Sequence, residues 1–394
     1  MRDCQGESMS KLHVDTRLAH AGERFDLGTG AVMPPISLAS TYRREKVDAP
    51  GPYTYARIDN PNRAALEAAI ADLEGAPDAV AFASGCAAMD AALQLAPHGG
   101  GVLACRELYG GTYRLLTSLH QERGITLHWF SLADPASLQA GLDQKPALLW
   151  LESPSNPLLR LIDLPKTAAL ARAAGVRTVI DNTFATPLLQ RPLDLGIDIV
   201  VHSSTKYFGG HSDTLGGVAL SRDPHILERL RFIQRAKGGA LAPFDAYLTL
   251  RGLRTLHLRL ATACRNARAV AAFLAQQTDL AAVHYPGLPA HPDHALAQRQ
   301  MADFGAIVSA DLGTAARAKT FLETLDLFAL GDSLGGVESL CSYASAMSHA
   351  ALSASDLVAA GITPGLVRLS VGIESAADLV DDIAKALNLA RQTR

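Results

Sequence analysis

In the segment HSSTKYFGGHSD (residues 202–213), Lys206 follows three hydroxyl side chains, Ser203, Ser204 and Thr205. A lysine amine in its neutral form condenses with an aldehyde to give a Schiff base, and neighbouring hydroxyls are donors suited to an anion. A lysine by itself is ordinarily a solvated surface residue. What sets Lys206 apart is the apolar run Ile197–Val201 directly before it, which reads as a buried strand with the polar cluster at its carboxyl end. A second segment, RTVIDNTFATP (177–187), puts Asp181 at the end of another apolar run, where an unpaired carboxylate is costly. Asp-Asn-Thr reads either as an Asx turn or cap, or as a carboxylate set against a buried cation. A third, FASGCAAMDAAL (82–93), reads as strand, Ser-Gly turn and Ala-rich helix. There Gly85 permits close backbone approach, and the first helical amides are open to an anion. It is neither a Walker loop nor a G-x-G-x-x-G fingerprint, so a nucleotide-binding α/β enzyme finds little support.

The elements that must position these residues follow from periodicity. The runs 79–82, 101–104, 147–151, 177–181 and 198–201 read as buried strands. Between them, SGCAAMDAALQLA, TYRLLTSLHQERG and LPKTAALARAAG read as helices. This alternation implies a mostly parallel sheet covered on both faces, with ligand chemistry at the carboxyl ends of its strands. NRAALEAAIADLEG is expected to be a helix capped by Asn62 and ended by Gly75. Residues 1–60, rich in Pro, Gly and Tyr, read as an arm that lies on something else, such as a second subunit. The domain expectation is therefore an arm over 1–60, an α/β domain over 61–255 and an α+β domain over 256–394. A long helical stretch (245–275) reads as a connector, and beyond it the α+β domain takes strands from FGAIVSADLG, LFALGDS and LVRLSVGIE.

The 394 residues, 48% hydrophobic and 19% charged, can bury a large core. A formal net charge of -3 argues against a polyanion-binding surface, so nucleic acid is not an expected partner. Five scattered cysteines, Cys4, Cys86, Cys105, Cys264 and Cys341, suit a reducing compartment, and no His/Cys set has metal-ligand spacing. The opening residues lack an apolar signal segment and no run suits a bilayer, so the expectation is a cytoplasmic protein with no membrane partner.

Taken together, these segments resemble the Cys/Met-metabolism family of pyridoxal 5'-phosphate (PLP) enzymes, which includes cystathionine γ-synthase, γ-lyase and β-lyase and methionine γ-lyase. The resemblance runs from YTYARIDNPNR through SGCAAM, ELYGGTYRLL, ESPSNPLL, IDNTFATP, HSSTKYFGGHSD and SLGGVESL to VRLSVGIE. It implies the aspartate-aminotransferase-like (type I) fold and a homotetramer of two catalytic dimers. It also implies that PLP is the cofactor, carried on Lys206, and that the substrate is a small sulfur-containing amino acid. In that reading Asp181 holds the pyridine nitrogen and Tyr109 stacks on the ring. Gly85, Cys86, Ser203 and Thr205 take the phosphate, joined by Tyr55 and Arg57 from a neighbouring subunit. Arg368 clamps the substrate carboxylate, helped by Asn156 and Ser333.

The departures from the family's patterns bear on the reaction. Gly111 follows LYG where methionine γ-lyases carry a cysteine, which argues against that activity. SLGGVESL has the look of γ-synthases and γ-lyases, with Asp332 in place of their glutamate before the serine. Thr54 replaces an acidic residue before the tyrosine of Y-x-R, Asn62 stands in NPNR for the usual NPTR, and Gly210 replaces the frequent asparagine before His211. The expected reaction is thus that of a cystathionine γ-lyase or γ-synthase, with β-lyase behind. A type I fold that serves only to bind is a rival from a different class, and the retained Lys206, Asp181, Tyr109 and Arg368 speak against it.

Overall fold

The computed structural model describes residues 12–22, 30–350 and 352–393, and it divides into two compact units. Unit 1 comprises Met1–Leu95 and Asp198–His257, and unit 2 comprises Ala96–Ile197 and Leu258–Arg394. Cys4 lies outside the described residues.

In unit 1, strands β1 (Asp78–Phe82) and β6 (Ile199–His202) flank β7 (Gly217–Ser221), which is antiparallel to both. β7 was not among the strands expected from the sequence. Its run, VALS, is short and follows a Gly-Gly pair, so neither length nor flanks advertise it. The helix Pro61–Glu74 starts two residues earlier than expected. Asn60, not Asn62, is its cap, accepting from the Asn62 and Arg63 amides, with Pro61 at N1. Proline is favoured there because its missing N–H has no intrahelical partner anyway. Asn62 instead ties down the preceding chain, accepting from Ser37 N–H and donating to Pro35 O. Gly75 ends the helix in the left-handed conformation, as expected. Within residues 1–60, Val14–Ala19 is a short helix whose Leu18 is fully buried and whose Arg17 pairs with Asp72 at 2.8 Å.

In unit 2, β2 (Gly101–Cys105), β3 (Thr126–Phe130), β4 (Leu148–Glu152) and β5 (Arg177–Asp181) run parallel in the order β5–β4–β2–β3. β3 escaped sequence reading because its run, TLHWF, is a partly exposed edge strand interrupted by Thr126 and His128. β4 and β5 are buried almost throughout, as their apolar runs indicate. A second sheet in the order β10–β11–β12–β9–β8 takes β8 (Ala282–His284), β9 (Ile307–Asp311), β10 (Ala329–Leu330), β11 (Leu340–Tyr343) and β12 (Leu366–Ser370). The stretch expected to be one long helix is two, Pro243–Leu253 and Leu256–Ala275, interrupted at Arg254-Thr255. Local hydrogen bonds from the Thr255 amide and hydroxyl to the Gly252 carbonyl close a tight turn at the break.

Candidate functional site

Lys206 lies in the turn that follows β6. Its amide donates to Ser203 O at 3.2 Å, and its carbonyl accepts from Gly210 N–H at 2.8 Å, so the turn is closed on both sides. The Thr205 hydroxyl donates to Gly216 O at 3.2 Å and accepts from Gly216 N–H at 3.0 Å, tying it to the approach of β7. His202, at the end of β6, is wholly buried with its Nε2 2.6 Å from Glu74 Oε1.

Against this turn sits the N-terminus of the helix Gly85–Leu93. Ser84 caps it, its hydroxyl accepting from Ala87 N–H. The amides of Gly85 and Cys86, first in the helix, have no carbonyl to reach within it. A Cβ added to Gly85 would lie 2.9 Å from the Ser203 Cβ and 3.0 Å from its Oγ. One added to Gly217 would lie 2.2 Å from Ser84 O. Only glycine lets the chains approach so closely, and the result is a cradle of two helical amides beside the Ser203 hydroxyl. Such a donor set, at the positive end of a helix dipole, suits a phosphate.

Tyr55 and Arg57 are elsewhere in unit 1. Tyr55 is 45% exposed, and Arg57 stacks over its ring at 5.6 Å while donating to Arg235 O at 2.6 Å. That carbonyl is in the last turn of the helix Pro224–Lys237, where a cation is favourable.

Unit 2 gathers a different set. Asp181 ends β5, 6% exposed, with Oδ1 accepting from Thr183 N–H at 2.9 Å. Its register partner on β4 is Glu152, also buried. Burial and the Asp181 charge push Glu152 well above the ordinary carboxylate range, while the Tyr109 and Asn156 amides and Arg368 pull the other way. Those amides donate to Glu152 at 2.8 and 3.0 Å. Arg368 projects from β12, 4% exposed, donating through Nη1 to Asn156 Oδ1 at 3.1 Å and through Nη2 to Ser333 O at 2.9 Å. Ser333 has φ 136°, a region that serine rarely adopts, held there within the bonded loop.

Tyr109 precedes the helix Gly110–Arg123. Its ring covers Gly111, where a Cβ would fall 2.2 Å from Tyr109 Cε1, and a Cβ on Gly110 would fall 2.1 Å from Ser348 O. Next to that contact, His349 bonds through Nε2 to Leu108 O at 3.1 Å and through Nδ1 to the Ser348 hydroxyl at 2.8 Å. Burial lowers the His349 pKa to about 4, so it is neutral near pH 7.

The structure therefore brings Gly85, Cys86 and Ser203 together in unit 1, and Asp181, Tyr109, Asn156, Ser333 and Arg368 in unit 2. Sequence reading missed Glu152 and the Ser348–His349 pair. Glu152 carried a signal, since ALLWLE ends an apolar strand on an acid just as RTVID does. Ser348 and His349 carried none, being some 240 positions from the tyrosine they abut. Among the described residues, no cluster of His, Cys, Asp or Glu could hold a metal ion, and no helix is long and apolar enough to cross a membrane.

Comparison with known proteins gives a consistent match. The family model for Cys/Met metabolism PLP-dependent enzymes matches residues 15–388. A cystathionine beta-lyase of Coxiella burnetii is 44% identical over 380 residues, covering 96% of this chain and 98% of the relative. A cystathionine gamma-lyase of Bacillus subtilis is 42% identical over 372 residues, covering 94% of this chain and 98% of that one. A crystal structure of the cystathionine gamma synthase of Xanthomonas oryzae pv. oryzae, in complex with aminoacrylate and cysteine, superposes with a TM-score of 0.95. It is 42% identical, covering 97% of this chain and 100% of that one.

Proposed function

The chain belongs to the Cys/Met-metabolism family of PLP-dependent enzymes, and on that premise we propose that it acts at the Cγ–S bond of cystathionine, as a γ-lyase or a γ-synthase. It has the type I PLP fold, its cofactor is pyridoxal 5'-phosphate, and it is an enzyme of trans-sulfuration chemistry.

The cradle of Gly85, Cys86 and Ser203 fits the cofactor's phosphate, with Thr205 beside it. Lys206 would be the amine that carries its aldehyde, and Asp181 would be the acid for the pyridine nitrogen. Tyr109 supplies the stacking ring. When bound, PLP supplies an aldehyde for the substrate amine and a ring that withdraws electrons from the adjoining carbon. The chain's own residues do the rest. Lys206 Nζ would be the base that takes the proton from Cα. Arg368, pre-set by Asn156 and Ser333, would fix the substrate's α-carboxylate. The Tyr109 phenol is the group to hand a proton to the departing sulfur or to take one from the incoming amine.

The γ reading is carried by the SLGGVESL segment with Asp332 before Ser333, and a bond from Arg368 Nη2 to Ser333 O at 2.9 Å holds that serine. That bond fastens the loop bearing Asp332, an exposed carboxylate, beside the carboxylate clamp. A substrate with a second ammonium group beyond its sulfur, such as cystathionine, complements that carboxylate whichever of its C–S bonds is cut. The β-lyase reading has the Coxiella relative in its favour. Incubation with cystathionine and identification of the keto acid separates them. We expect 2-oxobutyrate from a γ-lyase, or cystathionine formed from cysteine and an acylated homoserine by a γ-synthase. Pyruvate as the main product would overturn the γ reading.

The reading includes a homotetramer of two catalytic dimers, in which Tyr55 and Arg57 reach a neighbour's phosphate. Large apolar side chains open to solvent, Tyr55, Phe232, Phe244 and Leu215, support such an assembly. It also includes a cytosolic location, supported by the unbridged Cys86, Cys105, Cys264 and Cys341.

A further inference from the structure

We propose that Glu152 is a positioning residue, whose single carboxylate sets the spacing between the Tyr109 ring and the Arg368 clamp. This rests on the reading of Tyr109, Asn156 and Arg368 given above.

Glu152 closes a strand whose five residues are all buried, and its register partner is another acid, Asp181. A second carboxylate in such a place is unfavourable through desolvation and like-charge repulsion. Packing alone would be better served by an apolar residue. What the acid provides is two acceptor oxygens on one rigid group. Oε2 takes the Tyr109 amide at 2.8 Å, on the loop after β2. Oε1 takes the Asn156 amide at 3.0 Å, on the loop after β4. The Asn156 side chain then passes the restraint to Arg368 on β12 at 3.1 Å. Both primary bonds are to backbone, so a shift of the carboxylate moves whole loops rather than one rotamer.

A glutamine cannot substitute. Its oxygen serves one amide, and its NH2 then faces the other amide donor to donor, leaving a buried N–H unpaired. One loop must retreat, and a displacement of about 1 Å at a catalytic group costs on the order of a hundredfold in rate. Aspartate keeps both acceptors on a shorter stem, so it restores the bonds incompletely.

The test compares Glu152→Gln and Glu152→Asp with the parent as PLP-loaded enzymes. Steady-state kinetics with cystathionine and visible circular dichroism of the bound cofactor are the readouts. We expect E152Q to raise KM and lower kcat together, with kcat/KM down about 10- to 100-fold, and to alter the visible dichroism. E152D should fall between the two. A residue that only supports folding would lower the thermal midpoint and the active fraction while leaving KM and the dichroism per bound cofactor unchanged, and that result would overturn the proposal. If E152Q does not accumulate, E152D alone decides, and parental KM, kcat and dichroism in it would also overturn the proposal. Tyr109→Phe and Arg368→Lys run in parallel keep the two levels apart. If they too match the parent, the underlying site reading has failed. If they are impaired while the Glu152 variants are not, only this inference has.

Discussion

Around Lys206, glycines let neighbouring segments approach closely, whereas around Asp181 buried acids and an arginine are held by backbone amides and Asn156. In unit 1, Gly85 and Gly217 leave no room for a Cβ, and the anion cradle is made of helical N–H groups and one serine hydroxyl. In unit 2, Glu152, Asp181 and Arg368 are each more than nine-tenths buried. Glu152 takes the Tyr109 and Asn156 amides, Asn156 bonds Arg368, and Asp181 is the register partner of Glu152. The difference matches the tasks proposed for them. A phosphate monoester is a compact dianion best met by dipoles that need no rearrangement. Protonation at a ring nitrogen and capture of a carboxylate call for full charges with set orientation. The first construction should therefore fail sterically, and the second electrostatically.

The sharpest way to probe the charged cluster is Arg368→Lys. It preserves charge and loses the planar fork that bonds Asn156 Oδ1 and Ser333 O together. Loss of charge-assisted bonds of about 1.5–3 kcal/mol corresponds to a roughly 10- to 100-fold fall in kcat/KM, carried mainly by KM. Retained KM would remove Arg368 from the substrate clamp.

For the glycine-built cluster the matching change is Gly85→Ala. Its Cβ would stand 2.9 Å from Ser203 Cβ, so the helix N-terminus must move off the turn. Overpacking of this kind costs about 1–3 kcal/mol. We expect weaker PLP retention, read by fluorescence titration of the cofactor, with KM for substrate little changed in the fully loaded enzyme. A variant that holds PLP as the parent does would show that this approach is not the phosphate's cradle.

The smallest effect expected is on acid stability, and it falls on unit 2. His349 and His291 both have pKa values lowered to about 4, chiefly by burial. Their folded values lie below the unfolded one near 6.5. The unfolded chain therefore takes up protons first, and stability is full above pH 6.5 and falls as the pH drops toward 4. The slope is at most about 1.4 kcal/mol per pH unit for each histidine. Thermal midpoints between pH 7 and 4 should decline, and His349→Gln should make the decline shallower. An unchanged slope in that variant would mean that His349 is not buried as a neutral base.

The two clusters also differ in how far they could be read before any coordinates. The strand-then-acid pattern of RTVID and the strand-then-hydroxyl pattern before Lys206 are local, so periodicity and a buried polar group were enough to bring both residues forward as candidates. The same logic applied to ALLWLE would have found Glu152, but nothing local says that one carboxylate serves two loops. The Gly110–Ser348 approach and the His349 bond to Leu108 join segments far apart in sequence, which no spacing rule reveals. Helix ends were legible to within a turn. Asn60 took the cap expected of Asn62 because Pro61 is pre-set for the first helical position. The break at Arg254-Thr255 was hidden because neither residue is a strong helix breaker.

The account stands or falls on which amine holds the aldehyde. Borohydride reduction of the purified, yellow enzyme followed by peptide mapping answers this directly. The expected result is loss of the visible band with the pyridoxyl mass on the single peptide containing Lys206. A label on another lysine, or no label at all, would contradict it.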